Sequence, residues 1–391
     1  MKKPYTTPKL FKRDARCVHA VFVFSESDRP TPAAQIAHVA GCLCEGLTET
    51  ERAAIMTATE NKNMSTLLHA LDGVRRVVCH RNSEATACPD GTAAAILLAD
   101  ALPNAEITFA SYGAELDAVE PMPGLLFADI CPRERVDEHV AAGAIVLDHH
   151  ASHEDMVRRF GERGVFGSKT ESGASLAHEH VWLPRIGLDG ASKAERARAE
   201  QFARLAAVRD TWQRDHEAWV AASEQAAALA LFAWDDWQPL HRPFSDGGGG
   251  IAFESMLTSG RPLYAARLRR AQLAAQGATY FWTTVGTRLA IVNTLDTSDL
   301  AEIVDADVLV GFSIFCESAA LASGPASRIR YSFRARGDYD VGSLAKSASG
   351  GGGHRGAAGC AMPLEWNINA ITQAFRFVEN YEGSRTQGGG A

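Results

Sequence analysis

Between residues 75 and 150 short apolar runs alternate with longer Ala- and Leu-rich stretches. Val77 to His80, Glu106 to Ser111, Leu125 to Ala128 and Ala144 to Asp148 read as buried strands, while Gly91 to Leu102 and Arg133 to Ala142 read as helices. Such runs belong to strands covered on both faces, and their alternation with helices predicts a doubly wound, mainly parallel sheet. Three of the predicted strands end alike. His80, Asp129 and the stretch Asp148-His149-His150 each follow apolar residues directly. Open α/β sheets hold their ligands at that edge.

The pattern turns helical over residues 173–234. Gly173 to Val181 starts behind a capping Ser172, Lys193 to Arg209 is Ala-, Arg- and Glu-rich, and a third helix covers about 216–234. Asp235 to Gly250 is rich in Asp, Pro and Gly and predicts a flexible connection. A second α/β unit follows: a helix over Phe253 to Gln276, a hairpin of Tyr280 to Val285 with Arg288 to Asn293, and a helix over Ser298 to Ile303. Strands Val308 to Phe315 and Ser327 to Ala335, a helix over Val341 to Ser349, a glycine-rich loop and a helix over Trp366 to Tyr381 complete it. Ahead of all this, Val18 to Phe24 reads as a strand, and Pro32 to Leu47 and Glu49 to Thr59 as helices of an accessory layer. The fold class expected is α/β: a doubly wound, mainly parallel sheet domain, a helical connector and a smaller α/β C-terminal domain.

Composition narrows the function. The 391 residues are 46% hydrophobic and 22% charged, with a net charge of −8, which argues against coating long DNA or RNA. Locally the balance inverts. Arg328, Arg330, Arg334, Arg336, Lys346 and Arg355 face only Asp338 and Asp340 between residues 326 and 360, a surplus of +4 suited to an anion. Eight scattered cysteines without a Cys-x-x-Cys pair exclude a disulfide scaffold or zinc knuckle and point to a reducing, cytoplasmic setting. The basic start, Met1 to Pro8, lacks the apolar core of a signal peptide. No run approaches the ~18 apolar residues of a membrane helix, so no membrane partner is expected. Five tryptophans lie between 182 and 237, and core packing is the expected reason for them over base stacking.

Oxygen and imidazole donors gathered at one sheet edge suit a divalent cation. Asp90, in Cys88-Pro89-Asp90-Gly91, reads as such a donor or as a helix cap. Asp210, in Arg209-Asp210-Thr211-Trp212, reads as a donor, as a plain helix-end acid or as the partner of Arg209.

Together these segments resemble the Asp-His-His (DHH) phosphoesterase superfamily, the RecJ-like and nanoRNase-like enzymes. Asp148-His149-His150-Ala151-Ser152 matches the name-giving motif, Asp129 the second-motif acid, and His80 with Pro89-Asp90-Gly91 the first motif. Gly173-Ala174-Ser175 and Asp210-Thr211-Trp212 look like the later motifs. Gly350 to Gly359, with Ser332-Phe333-Arg334 upstream, resembles the signature of the DHH-associated substrate domain. Two features depart from the pattern. The neutral Thr92 stands where the family has a second acid, and His80 and Asp90 are spaced more widely than usual.

The resemblance implies Mn²⁺ or Mg²⁺, two ions, with His80, Asp90, Asp129 and Asp210 at the first and Asp129, Asp148 and His149 at the second. Asp148 and His150 would be catalytic, His150 stabilising charge or protonating the leaving oxygen. Arg334, Gly351, Gly352, Gly353, His354 and Arg355 would hold the substrate phosphate. The implied domains are an accessory segment (1–70), a catalytic domain (71–235), a linker (236–255), a substrate-binding domain (256–382) and a flexible tail (383–391). The expected function is a phosphodiesterase hydrolysing short single-stranded oligonucleotides or small nucleotides by metal-activated water, in a homodimer. Two alternatives stay open: a cyclic-dinucleotide or nucleoside 3′,5′-bisphosphate hydrolase, and a non-enzymatic nucleotide- or RNA-binding protein with a degraded metal site.

Overall fold

The computed structural model describes residues 66–363, apart from 84–85, 188–189, 283–285, 295–296, 317–326, 338 and 350. The predicted elements of residues 18–59 and 366–381 and the tail lie outside the described residues.

The first sheet contains β1 (Arg76–Ser83), β2 (Thr86–Ala87), β3 (Glu106–Ala110), β4 (Leu125–Ala128), β5 (Ile145–Asp148) and β6 (Gly164–Phe166). Five strands run parallel in the order β3-β1-β4-β5-β6, and β2 folds back antiparallel on the end of β1. The doubly wound expectation is met. Its apolar runs serve two cores at once. Val77, Cys79, Leu126, Ala128, Ile145 and Leu147 pack on one face, and Val78, Leu125, Phe127 and Val146 on the other. The chain steps from β1 to β3 on one side and then builds β4, β5 and β6 on the other. The winding therefore reverses between β1 and β4, and the crevice beyond their C-terminal ends is the place such a sheet offers a ligand. β6 escaped the sequence reading because it is only three residues long and half-buried.

The helices that matter to the site are α1 (Pro89–Ala101), α2 (Gly173–Ala177) and α3 (Lys193–Asp210), with α4 (Trp219–Leu231) behind them. The predicted helix from Gly173 widens after Ala177 into a π-helical stretch, His178–Gly187, which contains Pro184. Trp182, Trp219 and Trp237 are buried, as packing predicts. The expected flexible connection is instead folded. Helices cover Trp234–Trp237 and α5 (Gly248–Thr258). Phe244 and Phe253 are the reason: both are buried, their rings 5.2 Å apart, against Phe202 and Trp182. Burying an aromatic ring outweighs what Asp, Pro and Gly composition suggests.

The second sheet is mixed, in the order β11-β12-β10-β9-β8-β7. Its strands are β7 (Thr279–Trp282), β8 (Arg288–Val292), β9 (Val308–Cys316), β10 (Ser327–Ala335), β11 (Gly352–His354) and β12 (Ala357–Pro363), and only β8 and β9 pair in parallel. Helix α6 (Gly260–Ala275) precedes it, and α7 (Thr297–Ile303) and α8 (Val341–Ser349) cover it. The glycine-rich stretch expected as a loop is a tight hairpin, Gly352 opposite Gly359 and His354 opposite Ala357. β12 is templated along its length by β10, and small residues allow β11 to close on it. β10 alternates cleanly: Ile329, Tyr331 and Phe333 enter the core, which leaves Ser332 and Arg334 on the α7 side.

Candidate metal centre

His80 lies inside β1, which runs on to Ser83 instead of ending there, at the level where its parallel pairing with β3 and β4 stops; Asp129 follows β4, and Asp148-His149-His150 ends β5, so the winding reversal brings three predicted motifs to one crevice. Two glycines make the approach possible. A Cβ on Gly91 would overlap the His80 carbonyl, and one on Gly173 would overlap Asp129. The starts of α1 and α2 can therefore abut the strand ends. Asp129 itself adopts a left-handed conformation, φ 62°, and so does Trp212 at φ 61°. Each costs about 1–3 kcal/mol for a residue with a side chain, which the surrounding packing must offset.

Three carboxylates converge on one imidazole nitrogen. His149 Nε2 lies 3.2 Å from Asp129 Oδ1, 3.3 Å from Asp210 Oδ2 and 3.8 Å from Asp90 Oδ2. Asp90, Asp129 and His149 are buried. Asp90 is pushed well above the usual carboxylate range by burial and by Asp129 and Asp210. Burial pushes Asp129 the same way, but the His149 and His80 imidazoles outweigh it and hold this carboxyl low. Burial alone would lower the His149 pKa; the carboxylates raise it to about 10. The imidazolium thus sits among two buried acids, Asp90 and Asp129, and the half-buried Asp210. An oxygen-rich set with one imidazole fits a divalent ion, and the donor chemistry passes that test.

Asp90 does not cap its own helix, whose N-cap Cys88 makes no side-chain capping bond. Its oxygens instead accept from Ser172 Oγ at 2.6 Å and from the N–H groups of Gly173 (2.7 Å) and Ala174 (3.2 Å), sealing the start of α2. Asp210 ends α3. Its neighbour Arg209 turns away to Asp299 (2.8 Å) and Glu302 (3.3 Å). Thr92 is buried in α1.

Asp148 is bonded within a neighbouring group, with His150 and His153. Oδ1 accepts from His150 Nδ1 at 2.6 Å and from the backbone N–H groups of His149 (2.8 Å) and His150 (3.1 Å), and Oδ2 pairs with His153 Nδ1 at 2.6 Å. Both oxygens are engaged by donors, so the carboxylate orients two imidazoles. Burial pushes Asp148 up and His150 down, but their pairing reverses both: Asp148 lies well below its ordinary range and His150 above its own. His153 was missed, although it lies five residues after Asp148. Tyr112 was missed too. Its ring lies 5.0 Å from that of His80 and 5.2 Å from that of His153, under the Arg133 guanidinium.

The second sheet meets this crevice. Arg334 lies with its guanidinium carbon 5.5 Å from the Trp212 ring and donates to Ser298 Oγ (2.8 Å) and to the Phe333 carbonyl (2.8 Å). Burial and the neighbouring Arg209 pull its pKa down to about 10, so it stays cationic at neutral pH. Gly356, in the turn of the glycine-rich hairpin, is close enough to Trp212 that a Cβ there would lie 3.8 Å from Cδ1. β11, with Gly352, Gly353 and His354, comes within 8 Å (Cα to Cα) of the Ala151–His153 turn.

No family model and no curated protein matches the sequence. Among solved structures, the DHH domain of a member of a family of ribosomal proteins is similar to this one, with a TM-score of 0.50 and 12% identity. The similarity covers 88% of this chain and 98% of that one. The chain has the DHH-domain fold. The resemblance read from Asp148-His149-His150 and from Gly350 to Gly359 thus holds at the level of fold. RecJ from Thermus thermophilus, solved with Mn²⁺, is 15% identical with a TM-score of 0.46 over 81% of this chain and 54% of RecJ. A pGpG-specific phosphodiesterase from Vibrio cholerae is 13% identical with a TM-score of 0.39, over 77% of this chain and 98% of that one. Among the described residues, no helix of this DHH-fold chain is long and apolar enough to cross a membrane.

Proposed function

We propose that the chain is a divalent-metal-dependent phosphodiesterase acting on short oligonucleotides or small nucleotides. One observation carries this reading: Asp90, Asp129 and Asp210 converge on His149 Nε2 at the winding reversal of a DHH-type sheet. Asp90, Asp129, Asp210, His149 and His80 would hold the ion or ions, Mn²⁺ or Mg²⁺. A divalent ion held there supplies Lewis-acid charge and an acidified water for attack on phosphorus.

The chain's own groups do the rest. His150, fixed through Nδ1 by Asp148, presents its other nitrogen to the phosphoryl group and protonates the leaving oxygen. Asp148 is a positioning residue that keeps His150 oriented and charged. Arg334 and the hairpin of Gly351, Gly352, Gly353, His354 and Arg355 grip a terminal phosphate, and the local surplus of positive charge supports that role. The sheet lobe carries the chemistry and the second lobe, from about residue 256, the grip. The overall charge of −8 favours short substrates over long nucleic acid.

The test is a panel of short oligoribonucleotides, oligodeoxyribonucleotides, cyclic dinucleotides and nucleoside 3′,5′-bisphosphates, with Mn²⁺ and with Mg²⁺. Turnover that needs the ion and falls in Asp148→Ala supports the reading. If no substrate class is cleaved with either ion, or if Asp148→Ala leaves the rate unchanged, the reading fails.

A further inference from the structure

We propose that the Cys88 thiolate is a ligand in this centre, completing with His80 and Asp129 a position for a thiophilic divalent ion such as Zn²⁺ or Co²⁺. The proposal rests on the metal-centre reading above and names which donors share one ion. His80, Cys88 and Asp129 each offer a ligand atom, and the three atoms lie within 4.8 Å of one another. His80 Nδ1 is 3.4 Å from Asp129 Oδ2, and Cys88 Sγ is also 3.4 Å from that oxygen. A tetrahedral ion with bonds of roughly 2.0–2.3 Å sets nitrogen–oxygen and sulfur–oxygen edges of about 3.4–3.6 Å. Both edges at Asp129 thus match one ion, and the third, between Cys88 and His80, lies within 4.8 Å.

Three further observations point to a ligand. First, His80 Nδ1 is buried and makes no hydrogen bond, although it lies beside Asp129. Second, Cys88 is the N-cap residue of α1, a position that favours Ser, Thr, Asp or Asn, and its side chain makes no capping bond. The sulfur is directed at Asp129 instead. Third, Thr92 offers α1 no second anionic donor near Asp90. Cys88, at the same helix entrance, offers one.

The Asp129 carboxylate then has two sides. Oδ2 faces His80 and Cys88, and Oδ1 faces His149, around which Asp90 and Asp210 gather. One side is oxygen-rich and the other mixes nitrogen, sulfur and oxygen, so the two positions differ in softness. On metal entry the Cys88 S–H bond breaks, the proton leaves to solvent and the sulfur electron pair passes to the ion.

The test is optical and needs no substrate. The full chain is loaded with Co²⁺, binding is followed by calorimetry, and the near-ultraviolet region is scanned for a sulfur-to-cobalt charge-transfer band. The expected result is a band in the wild type, absent from Cys88→Ser, with Zn²⁺ affinity reduced at least about tenfold in the variant. His80→Ala leaves every cysteine in place and should also lose the band, which keeps the test decisive if Cys88→Ser folds poorly. Co²⁺ binding without a band, or a band that survives both variants, overturns the proposal and leaves the metal centre itself standing. No Co²⁺, Mn²⁺ or Mg²⁺ binding at all overturns both.

Discussion

Two clusters of Asp and His lie side by side at the end of β5, and they are built with opposite ratios. Around His149 three carboxylates share one imidazole. Around Asp148 two imidazoles, His150 and His153, share one carboxylate. The first cluster sets three acids, two of them buried, around one imidazole, and like charges so close are costly unless protons or a cation join them. The second is complete in itself: every oxygen of Asp148 has a donor, and its product is a held, charge-stabilised imidazole. Adjacent residues of one motif, His149 and His150, therefore face different partners: His149 the carboxylates of Asp90, Asp129 and Asp210, and His150 that of Asp148.

Substitutions should separate the two clusters. The largest effect is expected at Asp129, which touches His80, Cys88 and His149. Asp129→Ala should lower turnover by at least about 10³-fold, the scale of losing transition-state charge stabilisation. It should also abolish the rise in melting temperature that Mn²⁺ gives the wild type, a rise worth about 2.7 kcal/mol at a hundredfold excess over Kd. His150→Ala comes next, with a rate loss of about 10²-fold. Its thermal response to Mn²⁺ should remain. If His150→Ala also removes the Mn²⁺ response, the division between the clusters is wrong. His153→Ala should cost about tenfold in rate, because Asp148 loses the partner of its Oδ2 and holds His150 less firmly. A readout of its structural share is the melting temperature without metal. A fall there matching Asp148→Ala would recast His153 as a plain core residue.

Much of this was legible in the chain, for identifiable reasons. The parallel sheet announced itself because strands buried on both faces must be mostly apolar, as β4 is throughout and β5 is up to Asp148. His80, Asp129 and Asp148-His149-His150 were noticed because each directly follows an apolar run, although β1 runs on past His80. The partition of the donors was not legible. Asp148 and His149 are consecutive, and sequence order does not reveal that one carboxylate turns to His153 while the next imidazole turns to Asp129. His153 itself was hidden because its link to Asp148 depends on the Ala151–His153 turn bringing the ring back. Ser172 could be seen as a cap but not as a donor to Asp90, some eighty residues earlier. The folded stretch around Phe244 was misread for another reason: its Asp, Pro and Gly content masked one aromatic ring that decides its packing.

The smallest expected effect is a count of protons. In the absence of metal, the carboxylates around His149 raise its pKa to about 10, so the imidazole carries a proton at pH 7. A metal ion needs that nitrogen unprotonated, so binding must expel the proton. The sign follows: ion binding should release about one proton per site from His149 at pH 7, and affinity should rise by about tenfold per pH unit below 10. Calorimetry in two buffers of different ionisation enthalpy measures the release directly. His149→Gln should abolish it, since glutamine has no proton to lose. An unchanged proton count in that variant would place the exchangeable proton on Asp90 or on the Cys88 thiol, both of which have raised pKa values. The two outcomes decide whether the proton that the ion displaces sits on the His149 imidazole. Neither depends on turnover, and the Asp148 cluster should contribute nothing to the count, because its protons are shared within a set of donors and acceptors that is already balanced.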